Sequence, residues 1–110
     1  MDTEKVINET STKIAELNDA HRRSMQGCTV TRGVVSLGSA ANEVFVGVRD
    51  YTDFNEDNDP YGEHDFGSLK VAGEKIFWKI DYYDENLSKW CDPLSPDCNR
   101  VLTIMLAEEY

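Results

Sequence analysis

Four carboxylates and one histidine fall within the eleven residues DNDPYGEHDFG (57–67). The wider stretch holds seven carboxylates: Asp50, Asp53, Glu56, Asp57, Asp59, Glu63 and Asp65. Such density suits three kinds of chemistry: holding a hard cation, moving a proton, or meeting a basic surface. A calcium loop starting at Asp53 would place Asn55, Asp57 and Asp59 at its third, fifth and seventh positions. It would then need glycine where Asn58 stands and a bidentate glutamate where His64 stands, so strong calcium binding is not expected.

A small metal-dependent hydrolase or nuclease is the catalytic reading. Glu63, His64 and Asp65 follow a tight Pro60–Gly62 turn, and Asp81 lies on the partly polar face of a later strand. Two or three carboxylates suit Mg²⁺, a hard cation that keeps much of its water, with His64 as general base. An extended GEHDF segment, however, turns Glu63 and Asp65 to one side and His64 to the other, so convergence requires a bend. Few cationic groups flank the loop to hold a phosphate. A structural reading explains the same residues: Asp-Pro and Tyr-Gly are turn chemistry, and Asn58 and Asp59 suit an Asx-turn. In that reading His64 donates to a backbone carbonyl and Phe66 anchors the loop in the core.

The formal charge of −10 is unevenly placed. Residues 1–35 hold five acidic and five basic side chains, whereas residues 36–110 hold sixteen and six. This field repels nucleic-acid phosphates and attracts basic protein surfaces, besides keeping the chain soluble. Neither direct nucleic-acid binding nor membrane binding is therefore expected. Hydrophobic residues make up 40% of 110 residues, a globular composition with room for one core and one domain. No apolar run approaches the ~20 residues of a membrane span. The N-terminus lacks a basic region followed by an apolar one, and Cys28, Cys91 and Cys98 form no CxxC pair. Together these predict reduced thiols and a cytoplasmic location. The spacing of Cys91 and Cys98 also admits a bridge. It fits no common zinc pattern, and no cofactor is expected.

The elements that must position these side chains follow from periodicity. Residues 3–24 predict an amphipathic helix with Ile7, Ile14, Leu17 and His21 on its stripe, Arg22 and Arg23 near its end, and Gly27 stopping it. CTVTRGVVS (28–36) is rich in β-branched residues and predicts a strand. Ala41, Val44, Phe45, Val48 and Tyr51 predict a second helix over about 39–53, with Ser39 as N-cap and Gly47 weakening it slightly. Gly73-Glu74 reads as a two-residue hairpin turn. In the strand that follows, Ile76, Trp78, Ile80 and Tyr82 share one face, and Lys75, Phe77, Lys79, Asp81 and Tyr83 share the other. ENLSKWCDPLSPDCN forms a long loop, and the apolar run from Val101 to Leu106 reads as a buried central strand, with a short buried helix as the alternative. The order α-β-α-β-β-β predicts an α+β fold, with two helices on one face of a mainly antiparallel sheet of about four strands.

The blocks TRGVVSL, DNDPYGEHDFG, FWKIDYYD and RVLTIMLAEEY, in this order and spacing, resemble a small bacterial family of unknown function, often encoded on plasmids and mobile elements. The likeness runs from the IAELNDAHRR helix to the last residue. It implies a stand-alone cytosolic domain in a mobile-element setting and supplies no activity or catalytic residue. Where the family's loop around LSKWCDPLSPDCN tends to be longer, this chain brings two cysteines. With the charge segregation, the setting points to an acidic protein-binding module that inhibits a host defence complex, of the anti-CRISPR or anti-restriction type. Its partner would be a basic nucleic-acid-binding protein whose lysines and arginines the carboxylates occupy. The expected contact residues are Asp53, Glu56, Asp57, Asp59, Asp84 and Glu85, with Trp90 as an exposed anchor.

Overall fold

A computed structural model describes residues 3–110, with side chains from residue 9 onward. The expected α+β class is observed. Helix α1 (Thr3–Ser24) is followed by a short strand β1 (Thr29–Val30), a helical turn α2 (Arg32–Val35), a 3-10 turn (Gly38–Ala40) and helix α3 (Ala41–Arg49). Strands β2 (Phe66–Val71), β3 (Glu74–Tyr83) and β4 (Asn99–Leu106) complete the chain with a last 3-10 turn (Ala107–Glu109). The sheet order is β1-β4-β3-β2, with β1 parallel to β4 and the other pairs antiparallel. β4 is thus an interior strand, as its apolar run predicts. No described helix is long and apolar enough to cross a membrane.

The alternation of β3 holds: Ile76, Trp78, Ile80 and Tyr82 are buried. They form one core with Leu102, Ile104 and Leu106 of β4, Val34 of α2, Val44 and Val48 of α3, and Ile14 of α1. Burying such side chains contributes about 1.5–3 kcal/mol each, which fixes the strand register. On the opposite face Phe77 packs against Phe66 and Tyr110, and Lys79 pairs with Asp81 at 2.8 Å.

Several local expectations are corrected. The strand expected over 28–36 is only two residues long, because the chain turns into α2 at Arg32. Glu109 holds that turn: its carboxylate accepts from the Thr31 hydroxyl (2.6 Å), the Gly33 N–H (3.0 Å) and the Leu106 N–H (2.8 Å). A Cβ on Gly33 would lie 2.5 Å from that carboxylate, so long-range anchoring overrides β propensity here. The second helix ends at Arg49 rather than about 53. Ser39 lies in the 3-10 turn and does not cap it, and Tyr51 is buried from the loop beyond. Gly47 is less a weakness than a contact point, since a Cβ there would strike the Leu69 side chain. The hairpin turn is Ala72-Gly73, one residue earlier than expected. Val71 pairs with Glu74, and both turn residues have positive φ (53° and 79°), as a type I′ turn requires.

The first helix carries the most informative correction. Its side chain Ile7 lies outside the described residues. Ile14 is buried, but Leu17 is exposed and His21 only half-buried. The buried stripe instead runs through Ser11, Ile14, Ala15, Asn18 and Arg22, so two strongly polar side chains enter the core. α1 stops where Met25 takes a positive φ of 55°, ahead of Gly27 at 65°.

Candidate functional site

The acidic loop between α3 and β2 divides into an outer rim and an inner clamp. Asn55 and Asn58 build the rim. Asn55 Oδ1 accepts the backbone N–H groups of Asp57 (2.9 Å) and Asn58 (3.1 Å), and Asn58 Oδ1 accepts that of Asn55 (2.9 Å). Asn58 Nδ2 also donates to the Asp53 carbonyl at 2.7 Å. The Asx-turn expected at Asn58 and Asp59 forms instead at Asn55, whose side chain bonds the N–H two residues on; Asn58 bonds backward to Asn55, and Asp59 reaches forward to His64. The turn leaves Asp53, Glu56 and Asp57 exposed, and none of the three forms an ion pair with a described lysine or arginine.

The clamp begins at Asp59, whose side chain is only 6% exposed. Its carboxylate accepts the His64 N–H at 3.2 Å and lies 3.7 Å from His64 Nε2. His64 Nδ1 faces the Asp19 carboxylate of α1 at 3.0 and 3.1 Å. The ring thus sits between the Asp59 carboxylate of its own loop and the Asp19 carboxylate of the distant α1, rather than donating to a backbone carbonyl. Phe54 stacks on it with centroids 3.8 Å apart and planes 2° off parallel. Phe54, which also meets Tyr51 and Trp78, is the aromatic that ties the loop to the core; Phe66 lies on the other side of the sheet.

Behind Asp19 stands Arg22, fully buried. It donates to Asp19 (2.8 Å) and to the Tyr51 carbonyl (3.0 Å), and its guanidinium lies over the Phe54 and Trp78 rings at 5.5 and 5.2 Å. Asn18 bridges the same region. It donates to the Glu63 carbonyl and the Tyr82 hydroxyl, both at 2.9 Å, and accepts from Arg100 Nε at 2.7 Å. Sequence reading missed Asn18, Asp19, Arg22, Phe54 and Arg100. The available signal was the spacing of Ser11, Asn18 and Arg22, which share a stripe with Ile14 and Ala15.

The bend that the catalytic reading requires exists: His64 has φ 56°. It does not gather the three side chains around one point. His64 turns to Asp19 and Asp59, whereas Asp65 joins Asp81, Tyr82 and Trp90 around a separate notch. Among the described residues no three His, Cys, Asp or Glu side chains form a group able to hold a metal ion. Burial, then the charges of Asp65 and Asp59, raises the Glu63 pKa above its ordinary value. Burial likewise raises Asp65, helped by Asp59 and Asp81, and pushes the Tyr82 phenol well up.

Across from the loop, Asp84 closes a turn. Its carboxylate accepts the N–H of Ser88 at 3.0 Å, and these backbone bonds hold its pKa low. Glu85 beside it is exposed, and Trp90 is 70% exposed. Cys28, Cys91 and Cys98 are all free thiols.

No curated protein and no solved structure matches the chain. Residues 30–109 match a family described as "Protein of unknown function (DUF3768)". The match takes in the loop, the hairpin and β4, and begins after α1, so the likeness expected over residues 14–23 is not part of it. Covering most of the chain, it makes this protein a member of the DUF3768 family.

Proposed function

We propose that the protein is an acidic binding module that occupies a basic surface of a nucleic-acid-handling complex. In the mobile-element setting read from its sequence blocks, the target is a host defence complex of the anti-CRISPR or anti-restriction type. The observation that carries the reading is the rim: Asp53, Glu56 and Asp57 stand exposed, without cationic partners among the described residues, on a doubly bonded asparagine turn. Held there, they present negative charge at little further ordering cost, and the net charge of −10 steers a basic partner toward them. A hydrolase is the weaker reading, since His64 is engaged by Asp19 and Asp59 away from Asp65 and Asp81.

The experiment is affinity capture from host lysate with wild type and an Asp53→Lys/Glu56→Lys/Asp57→Lys variant, followed by elution with nucleic acid. Wild type is expected to retain a nucleic-acid-binding protein that added nucleic acid displaces, and the variant to retain none. Capture that survives charge reversal and moderate salt would sink the reading.

A further inference from the structure

At one end of the sheet β2 stops at Phe66, whereas β3 runs on to Tyr83 and leaves a notch along its edge. Asp65, Ile80, Asp81, Tyr82, Tyr83 and Trp90 line it around a volume of about 290 Å³. Two backbone bonds frame the opening: Ile80 N–H to the Asp65 carbonyl (2.8 Å) and Cys91 N–H to the Tyr82 carbonyl (3.3 Å).

The wall formed by Trp90 is exposed but not loose. Asp84 accepts from the Ser88 N–H (3.0 Å) and donates its own N–H to the Lys89 carbonyl (2.8 Å). Asn99 Nδ2 closes the base of the loop on the Asp84 carbonyl at 3.1 Å, and Trp90 bridges Tyr83. A solvent-exposed tryptophan whose backbone is held by a built turn leaves less to order on binding, which is what an interface anchor requires. Facing it, Asp65 is half-buried and no described lysine or arginine pairs with it; Asp81 pairs with Lys79 at 2.8 Å. Burial and the neighbouring Asp59 and Asp81 make the ionised form of Asp65 unfavourable, a condition that an incoming cation relieves.

We propose that this notch receives one arginine side chain of the basic partner, its guanidinium lying on the Trp90 indole and bonded to Asp65 and Asp81. The inference rests on the binding reading above and narrows it from a charged surface to one recognised side chain. A guanidinium suits the notch better than an ammonium. Its plane stacks on an indole, and its fork of N–H donors reaches two carboxylates at once. The volume has room for a side chain rather than for a cofactor.

The test is a titration of ¹⁵N-labelled protein with a short arginine peptide and its lysine counterpart, reading the Trp90 indole N–H, assigned with Trp90→Phe. The buried Trp78 indole is the internal control. Saturable movement of Trp90 is expected, about fivefold tighter for the arginine peptide, from about 1 kcal/mol of stacking. Asp65→Asn is expected to weaken it by a similar factor, with the fold intact by circular dichroism. A Trp90 signal that stays still, answers both peptides alike or ignores Asp65→Asn overturns the inference. If wild type still captures its partner while Trp90 is silent, the notch fails and the rim reading survives. If Trp90 responds while rim reversal leaves capture unchanged, the notch stands and the rim reading fails.

Discussion

Residues 53–58 and 59–65 belong to one acidic loop, yet they use their carboxylates in opposite ways. In the first half asparagine side chains bind the backbone of the turn, and the acids are left outside. In the second half the acids do the bonding: Asp59 holds His64, which meets Asp19 and, behind it, Arg22. Carboxylates near in sequence are therefore not one site. What separates them is reach: Asp59 is linked through His64 of the same loop to Asp19 of α1, whereas Asp53, Glu56 and Asp57 meet no such partner among the described residues. Glu63 and Asp65 are intermediate: drawn inward, but with no described lysine or arginine to neutralise them.

The sharpest way to break this contrast is to empty the clamp. Arg22→Ala removes a buried guanidinium from Asp19, the Tyr51 carbonyl and two aromatic rings. A loss of about 3–5 kcal/mol is expected from urea unfolding, the cost of breaking a buried charged contact by deleting one side. A loss below ~1 kcal/mol would mean that the clamp does not hold the loop.

Next in size is Gly67→Ala. The added Cβ would lie 2.5 Å from the Trp78 indole nitrogen, so overpacking by about 1–3 kcal/mol is expected in the same assay. An unchanged midpoint would show that Trp78 can shift without cost.

A smaller effect of opposite sign is expected at the unneutralised acids. Asp65 holds its proton more tightly folded than unfolded, so its ionised form costs stability above its raised folded pKa. That cost is relieved as pH falls through the folded value toward the unfolded one. Asp65→Asn should therefore raise Tm at neutral pH, with the gain fading on acidification through the carboxylate range. A variant less stable than wild type at pH 7 would mean that Asp65 is neutralised in the folded protein after all.

The rim should hardly register in stability. Reversing Asp53, Glu56 and Asp57 to lysine is expected to move the unfolding free energy by about 0.5 kcal/mol or less, as for exposed sites without packing. The same change should abolish partner capture. Stability lost together with binding would place the rim in the fold's support and erase the contrast.

Much of the scaffold was legible without coordinates. The period-two pattern of Ile76, Trp78, Ile80 and Tyr82 can bury only one face, and the run Val101–Leu106 reads as a buried strand or a short buried helix, of which the sheet takes the first. Asn58 in a turn was also readable, although its side chain bonds the Asn55 N–H three residues back and the Asx-turn itself falls to Asn55. The candidate site was less so. Trp90 could be singled out as an exposed loop tryptophan, but its meeting with Asp65 depends on where β2 stops.

Composition, patterning and local turn chemistry thus determined the α+β class, the strand faces, the acidic excess and the turn at Asn58, since each depends on interactions within a few residues or on totals. Only the tertiary structure decided which acids face inward. The partners of His64 and Glu63 on α1 lie 45 residues away, and Glu109 reaches Gly33 across 76. Hydrophobic periodicity would rotate α1 to bury Leu17 and His21. The fold instead buries Asn18 and Arg22, because distant carbonyls, the Phe54 and Trp78 rings and the nearby Asp19 carboxylate engage them there, with Arg22 Nε alone of their polar groups left without a partner.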